Sequence, residues 1–378
     1  MNIGEQLRTI RKGACLTQED VAEKLCITRQ ALSNWEQGKT IPDLYTFVQL
    51  AAVYNFSPDE FLLGKKYFKG SSNMKTNYSD AQIEGFIGKW YPAIIDLTPL
   101  SGGLVSQTFS FISGGEKYIF QIGNKKESYE KEMYISNHYR DALPVREMLE
   151  IHETDDGIAY CISHYIKGHK LDKLSERERR EIVMPMIKLM KRMDQIKIPS
   201  DKGYGRFDAS GYARYKTWLD FISVVYNDRV YDWSGLAAKG YDDLAVRKAI
   251  EKIREHIECV QLEKACFVLC DFDIIADNGC ITGVIDSDYA LYGDPLYNVA
   301  SILFWDHLKL RDLTVAVMRH YLADEDSKRK TYCYILRYAL EEIYNTVVLN
   351  EIGYDGRWIR SRLDELLESG LCHTKLTP

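Results

Sequence analysis

The chain has 378 residues, of which 46% are hydrophobic and 28% are charged. This length predicts about two to three domains, and the apolar content excludes a disordered protein. The net charge of −6 argues against a protein that coats nucleic acid with its whole surface. No run of about 18 apolar residues suggests a membrane span, and the N-terminus lacks the apolar core of a signal peptide. We therefore expect a cytoplasmic protein with no membrane partner.

Turn signals divide residues 3–63 into five expected short helices. The second helix is expected over residues 18–25 and the third over residues 29–37, and each is preceded by a threonine that can cap it. Only a two-residue turn is left between them. Two helices joined this tightly predict helix-turn-helix geometry.

The sequence TQEDVAEKLCITRQALSNWEQG at residues 17–38 resembles the phage-repressor-like (XRE) family of helix-turn-helix DNA-binding domains. The resemblance implies that residues 1–64 form an all-α domain that binds operator DNA. Members of this family usually read two half-sites, so a homodimer on DNA is expected. A helix-turn-helix that serves only protein contacts is the alternative.

The resemblance also implies which side chains face the DNA. Four polar residues occupy the outer face of the expected recognition helix, where Arg can bind guanine and Gln or Asn can bind adenine. Gln18 matches the family's phosphate-contacting glutamine, and two residues just after the recognition helix can reach the DNA backbone. The candidate DNA-contacting residues are Gln18, Arg29, Gln30, Ser33, Asn34, Lys39 and Thr40.

Residues 65–80, KKYFKGSSNMKTNYSD, are mostly polar. This composition predicts a flexible linker between two domains. The lysines of the segment could also attract DNA phosphates without sequence preference. We therefore expect the DNA-binding domain to end near residue 64 and a second domain to begin near residue 81.

Residues 267–295, FVLCDFDIIADNGCITGVIDSDYALYGDP, contain a hairpin signal. Asp277-Asn278-Gly279 predicts a tight turn between two apolar strands. Asp286 then leaves the end of the second strand, where a carboxylate is a candidate metal ligand. A surface hairpin without a functional role is the alternative for this signal alone.

From residue 82 onward the chain resembles the aminoglycoside phosphotransferase family, on its hygromycin B branch. The segments that carry the resemblance are ALPV at 142–145, AYCIS at 159–163, YKTWLDFI at 215–222 and DNGCITGVID at 277–286. The resemblance implies a two-lobed, protein-kinase-like fold of the α+β class, with an N-lobe over residues 81–168 and a helical C-lobe over residues 169–378. It also implies ATP or GTP with Mg²⁺ as cofactors, and an aminoglycoside-like ligand.

The resemblance assigns the nucleotide contacts to the N-lobe. Gly102 and Gly103 stand in an expected turn where backbone amides can approach phosphates, although a hairpin can also use two glycines for structure alone. Gln121 occupies the position of the family's basic residue. Glu132 resembles the acidic partner of that residue, but without a cation at position 121 it can simply face solvent. The expected hinge residues, whose backbone would bind the base, are Ile162, Ser163 and Tyr165.

The catalytic loop departs from the family pattern, which is H-x-D-x-x-x-x-N followed by the hairpin. If Asp271 is the catalytic aspartate, the loop is three residues shorter and its metal-binding Asn is missing. If the hairpin is instead counted back without a gap, Asp273 stands where the Asn belongs and Val268 takes the catalytic position. Asp273 and Asp286 are the candidate metal ligands.

The loss of such groups should lower the rate of phosphoryl transfer by orders of magnitude. We therefore expect a transcription regulator whose phosphotransferase-like domain is impaired as an enzyme and binds a nucleotide or an aminoglycoside-like ligand. An active ATP- or GTP-dependent aminoglycoside phosphotransferase that also binds DNA is the alternative. A third possibility is a C-terminal domain that serves only as a dimerisation scaffold.

Overall fold

The computed structural model describes residues 4, 7, 8, 11, 16–25, 27–54, 76–100, 106–123, 125–305, 311–349 and 355–373. The chain forms two compact units, residues 1–74 and 75–378. No helix in these described ranges is both long enough and apolar enough to cross a lipid bilayer.

The first unit contains three helices with defined ends, which are α1 (Gln18–Lys24), α2 (Arg29–Glu36) and α3 (Leu44–Tyr54). Thr17 caps α1 in a capping box, because its side chain accepts the Asp20 amide and the Asp20 side chain accepts the Thr17 amide. Thr28 caps α2 by accepting the Ala31 amide at 3.1 Å. The helix-turn-helix pair is confirmed, whereas the first and last of the five expected helices fall largely outside the described residues.

The core of this unit combines apolar packing with a buried ion pair. Arg11 Nε donates to Glu36 Oε1 at 2.5 Å, and the Gln18 side-chain amide donates to Glu36 Oε2 at 2.8 Å. Because a buried carboxylate needs partners, these bonds hold the end of α2 in place. The buried apolar side chains of this core are Leu7, Val21, Leu32, Trp35, Phe47 and Leu50.

The second unit begins with an N-lobe built on one antiparallel sheet. Its elements are α4 (Asp80–Gly88), β1 (Ile95–Leu100), β2 (Ser106–Ser113), β3 (Glu116–Gly123), α5 (Lys126–Tyr139), β4 (Met148–Glu153) and β5 (Ala159–His164). The strand order is β1-β2-β3-β5-β4. The end of the expected linker is already attached to this lobe, since the Thr76 hydroxyl donates to the Ile122 carbonyl and the Tyr78 amide donates to the Gln107 side chain.

The larger C-lobe is mainly helical and carries two small sheets. Its helices are α6 (Glu176–Glu181), α7 (Val183–Gln195), α8 (Trp218–Ser223), α9 (Gly235–Ala238), α10 (Leu244–Glu255), α11 (Leu296–Phe304), α12 (Arg311–Tyr321), α13 (Glu325–Ile343) and α14 (Gly356–Ser369). Its strands are β6 (His169–Lys170), β7 (Tyr204–Phe207), β8 (Ala213–Tyr215), β9 (Cys266–Val268), β10 (Ile274–Asp277), β11 (Cys280–Val284) and β12 (Leu291–Gly293). The sheets have the orders β11-β10-β6 and β8-β7-β12-β9, and the predicted α+β class is confirmed.

The hairpin predicted in the catalytic segment is present as β10 and β11. Its two-residue turn is Asn278-Gly279, with φ angles of 49° and 72°. Both angles lie in the left-handed region that Asn-Gly hairpin turns favour. β11 ends at the buried Val284, so the chain leaves the sheet two residues before Asp286.

α13 is held in the core of the C-lobe by a buried ion network. Arg337 Nη1 donates to Glu341 Oε2 at 2.6 Å, and Arg206 Nε donates to Glu341 Oε1 at 3.1 Å. Burial opposes the ionisation of Glu341, but the two guanidinium groups hold its pKa down at about 2. Glu341 is therefore ionised in the folded protein at neutral pH.

We predict that Glu341→Gln destabilises the C-lobe by about 3 kcal/mol near neutral pH, because the buried Arg337 and the partly exposed Arg206 both lose their carboxylate partner. The pKa of Glu341 lies below its usual value of 4.5 in the folded chain. Its contribution to the free energy of unfolding is therefore complete above pH 4.5 and is lost as the pH falls towards about 2. Denaturant unfolding of both proteins at neutral and at acidic pH measures this contribution.

The matched control is Glu325→Gln, which removes a carboxylate from an exposed pair with Lys328 on the same helix. We expect this control to cost less than about 1 kcal/mol. Equal losses for the two variants, or a Glu341→Gln deficit that does not change with pH, would contradict the network.

Candidate functional site

The predicted recognition helix α2 presents its candidate DNA-contacting side chains at the surface. Arg29 and Gln30 are exposed, and Ser33 and Asn34 are partly exposed. The Gln30 side-chain amide donates to Asn34 Oδ1 at 3.0 Å, so these two side chains lie together along the helix. Arg29 pairs with Glu19 at 2.8 Å, but both side chains are more than half exposed, and such pairs are weak. Arg29 can therefore leave this pair for another acceptor at low cost.

The remaining three DNA-contact candidates flank that helix. Gln18 is partly buried at the start of α1, and its bond to Glu36 fixes its orientation. Lys39 and Thr40 are exposed in the turn after α2. The seven candidates thus lie in or beside the helix-turn-helix segment, at positions from which such motifs contact bases and phosphates.

The loop between β9 and β10, residues 269–273, is short and is clamped by α11. Asn298 Oδ1 accepts the backbone amides of Leu269 and Cys270 at 3.0 and 3.2 Å. The Ser301 hydroxyl donates to the Cys270 carbonyl at 2.6 Å. Cys270 has a φ of 67°, a left-handed conformation that is uncommon for a residue with a side chain. α11 therefore fixes the backbone directly before Asp271.

Asp271 is the first aspartate that this loop presents. The Tyr338 hydroxyl of α13 donates to Asp271 Oδ1 at 2.8 Å. Burial raises the pKa of the Asp271 carboxyl to about 6. Val268, the alternative catalytic position, is fully buried inside β9. This placement favours the alignment in which Asp271 holds the catalytic position and the loop is shortened.

Asp273 and Asp286 form the second acidic feature of the site. The Ile285 amide donates to the Asp273 carbonyl at 3.0 Å, which brings the two segments together. The Asp273 side chain is 47% exposed, yet partial loss of hydration and the negative charge of Asp286 raise its pKa to about 6. Lys170 Nζ lies 3.8 Å from Asp273 Oδ1 and opposes this increase. The backbone of Asp286 has a φ of 52°.

These two aspartates fit a magnesium ion that is shared with a ligand. In the parts of the chain that the structure describes, no three His, Cys, Asp or Glu side chains are arranged to hold a metal ion. Mg²⁺ in nucleotide sites is commonly bound by one or two carboxylates together with phosphate oxygens and water. Asp273 and Asp286 therefore fit Mg²⁺ that arrives with a nucleotide.

A buried arginine that the sequence analysis missed lies on the N-lobe side of this site. Arg146 Nη1 donates to Gln121 Oε1 at 2.9 Å, and Arg146 Nη2 donates to Glu132 Oε2 at 2.5 Å. Gln121 Nε2 donates in turn to the Ser106 hydroxyl at 2.9 Å, which fixes the orientation of the amide. Glu132 is only 5% exposed, so the possibility that it faces solvent is wrong. A cation thus stands beside position 121 although residue 121 is neutral.

The backbone of Arg146 is bonded to the strand that leads to Asp286. The Arg146 amide donates to the Val284 carbonyl at 2.9 Å. Burial raises the pKa of Glu132 to about 7, the Arg146 cation opposes this increase, and the charge of Asp286 adds to it. Arg146 Nε is buried and has no hydrogen-bond partner among the described residues. A buried donor without a partner, on a segment bonded to the strand that leads to Asp286, fits the oxygen of a bound phosphate.

The expected base-binding segment lies at the end of β5, which stands between β3 and β4 in the N-lobe sheet. Ile162 and Ser163 pair with β3 on one side and with β4 on the other. The amide of Tyr165 donates to the Lys117 carbonyl at 3.1 Å. The amide hydrogen of Tyr165 is therefore used within the lobe, and a contact between this backbone segment and a nucleotide base stays a prediction. Gly102 and Gly103, the expected phosphate-binding glycines, lie outside the described residues.

Comparison with known proteins relates the second unit to phosphotransferases. Residues 96–330 match the phosphotransferase enzyme family. Hygromycin-B 4-O-kinase of Escherichia coli is 29% identical over 305 residues, which cover 78% of this chain and 87% of that protein. A thermostable mutant of aminoglycoside phosphotransferase APH(4)-Ia has been solved as a ternary complex with AMP-PNP and hygromycin B. That structure is 30% identical, has a TM-score of 0.69, and covers 76% of this chain and 99% of its own.

The first unit matches a different group of proteins. Residues 7–61 match a helix-turn-helix family. The HTH-type transcriptional activator BcrR of Enterococcus faecalis is 34% identical over 110 residues, which are 28% of this chain and 52% of that protein. The chain therefore spans about half the length of this regulator. With residues 96–330 matched, the chain belongs to the phosphotransferase enzyme family, and it carries an XRE-type helix-turn-helix domain at its N-terminus.

Proposed function

We propose that this protein is a DNA-binding transcription regulator whose phosphotransferase-like domain binds a nucleotide and an aminoglycoside-like ligand but is impaired in phosphoryl transfer. The observation that carries the proposal is the short, clamped loop at residues 269–273, on a chain that also presents an accessible recognition helix. This loop offers Asp271 but no side-chain amide for a metal ion.

The domain can bind a nucleotide and still be a poor catalyst of phosphoryl transfer, because the two functions need different contacts. Phosphoryl transfer requires metal ions and charges that are positioned for the transition state, so a missing metal ligand costs orders of magnitude in rate. Nucleotide binding needs only contacts in the ground state. The buried cation of Arg146 and the carboxylates of Asp273 and Asp286 are groups that can make such contacts. A domain with these groups and a defective loop is expected to bind its ligands and turn them over slowly.

The relatives indicate the chemical class of the ligands. The solved phosphotransferase binds AMP-PNP and hygromycin B, and the curated relative is a hygromycin-B kinase. We therefore propose ATP or GTP as the nucleotide and a hygromycin-type aminoglycoside as the second ligand. Asp273 and Asp286 would hold Mg²⁺ together with phosphate oxygens, and the ion would neutralise phosphate charge there.

The DNA contacts follow from the exposed face of α2. Arg29, Gln30, Ser33 and Asn34 are proposed to read base edges in the major groove, and Gln18, Lys39 and Thr40 to contact the backbone. The expected species on DNA is a homodimer with one recognition helix in each half-site. Regulation then requires that the ligand binds one of two DNA-binding states more tightly than the other. A ligand that binds both states equally does not change the equilibrium between them.

The second candidate function is an active ATP- or GTP-dependent aminoglycoside phosphotransferase that also binds DNA. Two observations favour it. Asp271 accepts a hydrogen bond from Tyr338 and is oriented by it, and an oriented carboxylate is what a general base for the substrate hydroxyl requires. Arg146 also supplies a buried cation on the N-lobe side.

We predict that Arg29→Ala and Gln30→Ala each weaken binding to a DNA fragment that the wild-type protein has selected from a random-sequence library. A lost base contact should cost about 1–3 kcal/mol, and discrimination at the contacted base pair should relax as well. Mobility-shift titrations measure both effects, and circular dichroism checks that the helices are intact. Glu23→Ala, an exposed substitution on α1 outside the proposed contact set, is the control and should bind like the wild type. Unchanged affinity in both test variants would refute the assigned DNA-facing surface.

We predict that Mg²⁺ with ATP or GTP, and hygromycin B, each raise the midpoint of thermal unfolding, because a ligand that binds only the folded state stabilises it.

Transfer of the labelled γ-phosphate to hygromycin B should be undetectable under the same conditions. The assay is run in parallel on Asp271→Ala and on Asp277→Ala, a carboxylate at the hairpin turn that pairs with Lys167. Transfer by the wild type and by Asp277→Ala, but not by Asp271→Ala, would establish the second candidate function instead.

A further inference from the structure

We propose that Arg146 is the phosphate-binding cation of the nucleotide site in this chain, in place of the basic residue that position 121 lacks. The inference rests on the nucleotide binding proposed above and names the side chain that recognises the phosphate groups. The ligand class it implies is a nucleoside diphosphate or triphosphate, and not a nucleoside alone.

The contacts of Gln121 support the proposal that Arg146 takes the role of a basic residue at position 121. Arg146 Nη1 lies 2.9 Å from Gln121 Oε1, so the guanidinium stands at the end of the residue 121 side chain. A lysine or arginine at position 121 would bring a second cation to the same place, where two buried like charges repel each other. The neutral amide of Gln121 accepts from Arg146 and donates to the Ser106 hydroxyl, so it can orient the arginine without repelling it. The site thus has room for one cation, which the segment before β4 supplies.

Acidic groups keep Arg146 charged, and a backbone hydrogen bond holds it against the C-lobe. Arg146 Nη2 donates to Glu132 of α5, the residue that resembles the acidic partner of the family's basic residue. The Arg146 amide is bonded to Val284, and Asp286 follows two residues later. Burial disfavours the guanidinium cation, but Glu132 and Asp286 hold the pKa of Arg146 above its usual value. The cation therefore persists beside one of the proposed Mg²⁺ ligands.

One N–H donor of the Arg146 guanidinium has no acceptor among the described residues. The residue is only 6% exposed, and its Nε has no partner in the described part of the chain. A buried N–H group of a cation without an acceptor is unfavourable, and most buried donors in native proteins are paired. A phosphate oxygen would satisfy Nε, and the planar guanidinium suits phosphate groups better than a lysine ammonium does.

The test compares ATP, ADP and adenosine on the full chain by isothermal titration with Mg²⁺ present. Arg146→Gln should weaken ATP and ADP binding by about tenfold to 100-fold, the range for a lost hydrogen bond to a charged group. The same variant should leave adenosine binding unchanged, because adenosine has no phosphate. Gln121→Arg together with Arg146→Gln returns the cation to strand β3 and should recover part of the ATP affinity.

The matched control is Arg140→Gln, which removes an arginine from an exposed pair with Glu147 and should leave all three affinities unchanged. Where Arg146→Gln does not fold, Glu132→Gln together with Arg146→Gln removes both charges of the buried pair. The ratio of ATP to adenosine affinity is then read from that double variant, and it should fall in the same way.

The outcomes separate this inference from the proposed function. ATP binding by the wild type, with an unchanged ratio of ATP to adenosine affinity in the variants, would overturn the role of Arg146 and leave nucleotide binding intact. A parallel loss of ATP and adenosine binding would show a structural role and would also overturn it. A wild-type protein that binds neither ATP nor GTP would overturn the nucleotide part of the proposed function, and this inference with it.

Discussion

The buried ion pair between Arg146 and Glu132 is the contact on which the N-lobe side of the candidate site depends. A buried charge is tolerated only when it is paired, so this contact fixes α5 against the segment that enters β4. The same segment is bonded through its backbone to β11, which leads to Asp286. A second buried network, around Glu341, holds the helix whose Tyr338 hydroxyl binds Asp271. Pairing of interior charges thus determines where the acidic groups of both lobes stand.

The parts of the fold that the sequence predicted are those fixed by local chemistry. The Asn278-Gly279 turn and the two threonine caps of the helix-turn-helix depend on neighbouring residues, and all are confirmed. Arg146 was missed because it meets Gln121 across 25 positions of the chain, through tertiary packing that a single sequence does not display. The sequence revealed the missing cation but not its replacement.

A regulator and an enzyme make different demands on the same site. An enzyme must stabilise the transition state, and we propose that the loop at residues 269–273, which carries no side-chain amide, does this poorly. A regulator needs a ligand that remains bound and unchanged, so that occupancy reports concentration. Slow or absent turnover is therefore compatible with regulation, and the charges of Arg146 and Asp286 are the groups that would hold the ligand in such a regulator.

The central claim is that ligand occupancy of the second unit changes the affinity of the first unit for DNA. The most direct test titrates the protein onto its selected DNA fragment in the absence and presence of saturating Mg²⁺-ATP and hygromycin B. We expect the dissociation constant to change by about fivefold or more, within the range of typical coupling between two sites. An unchanged dissociation constant, measured while thermal unfolding shows that the ligands are bound, would contradict the claim.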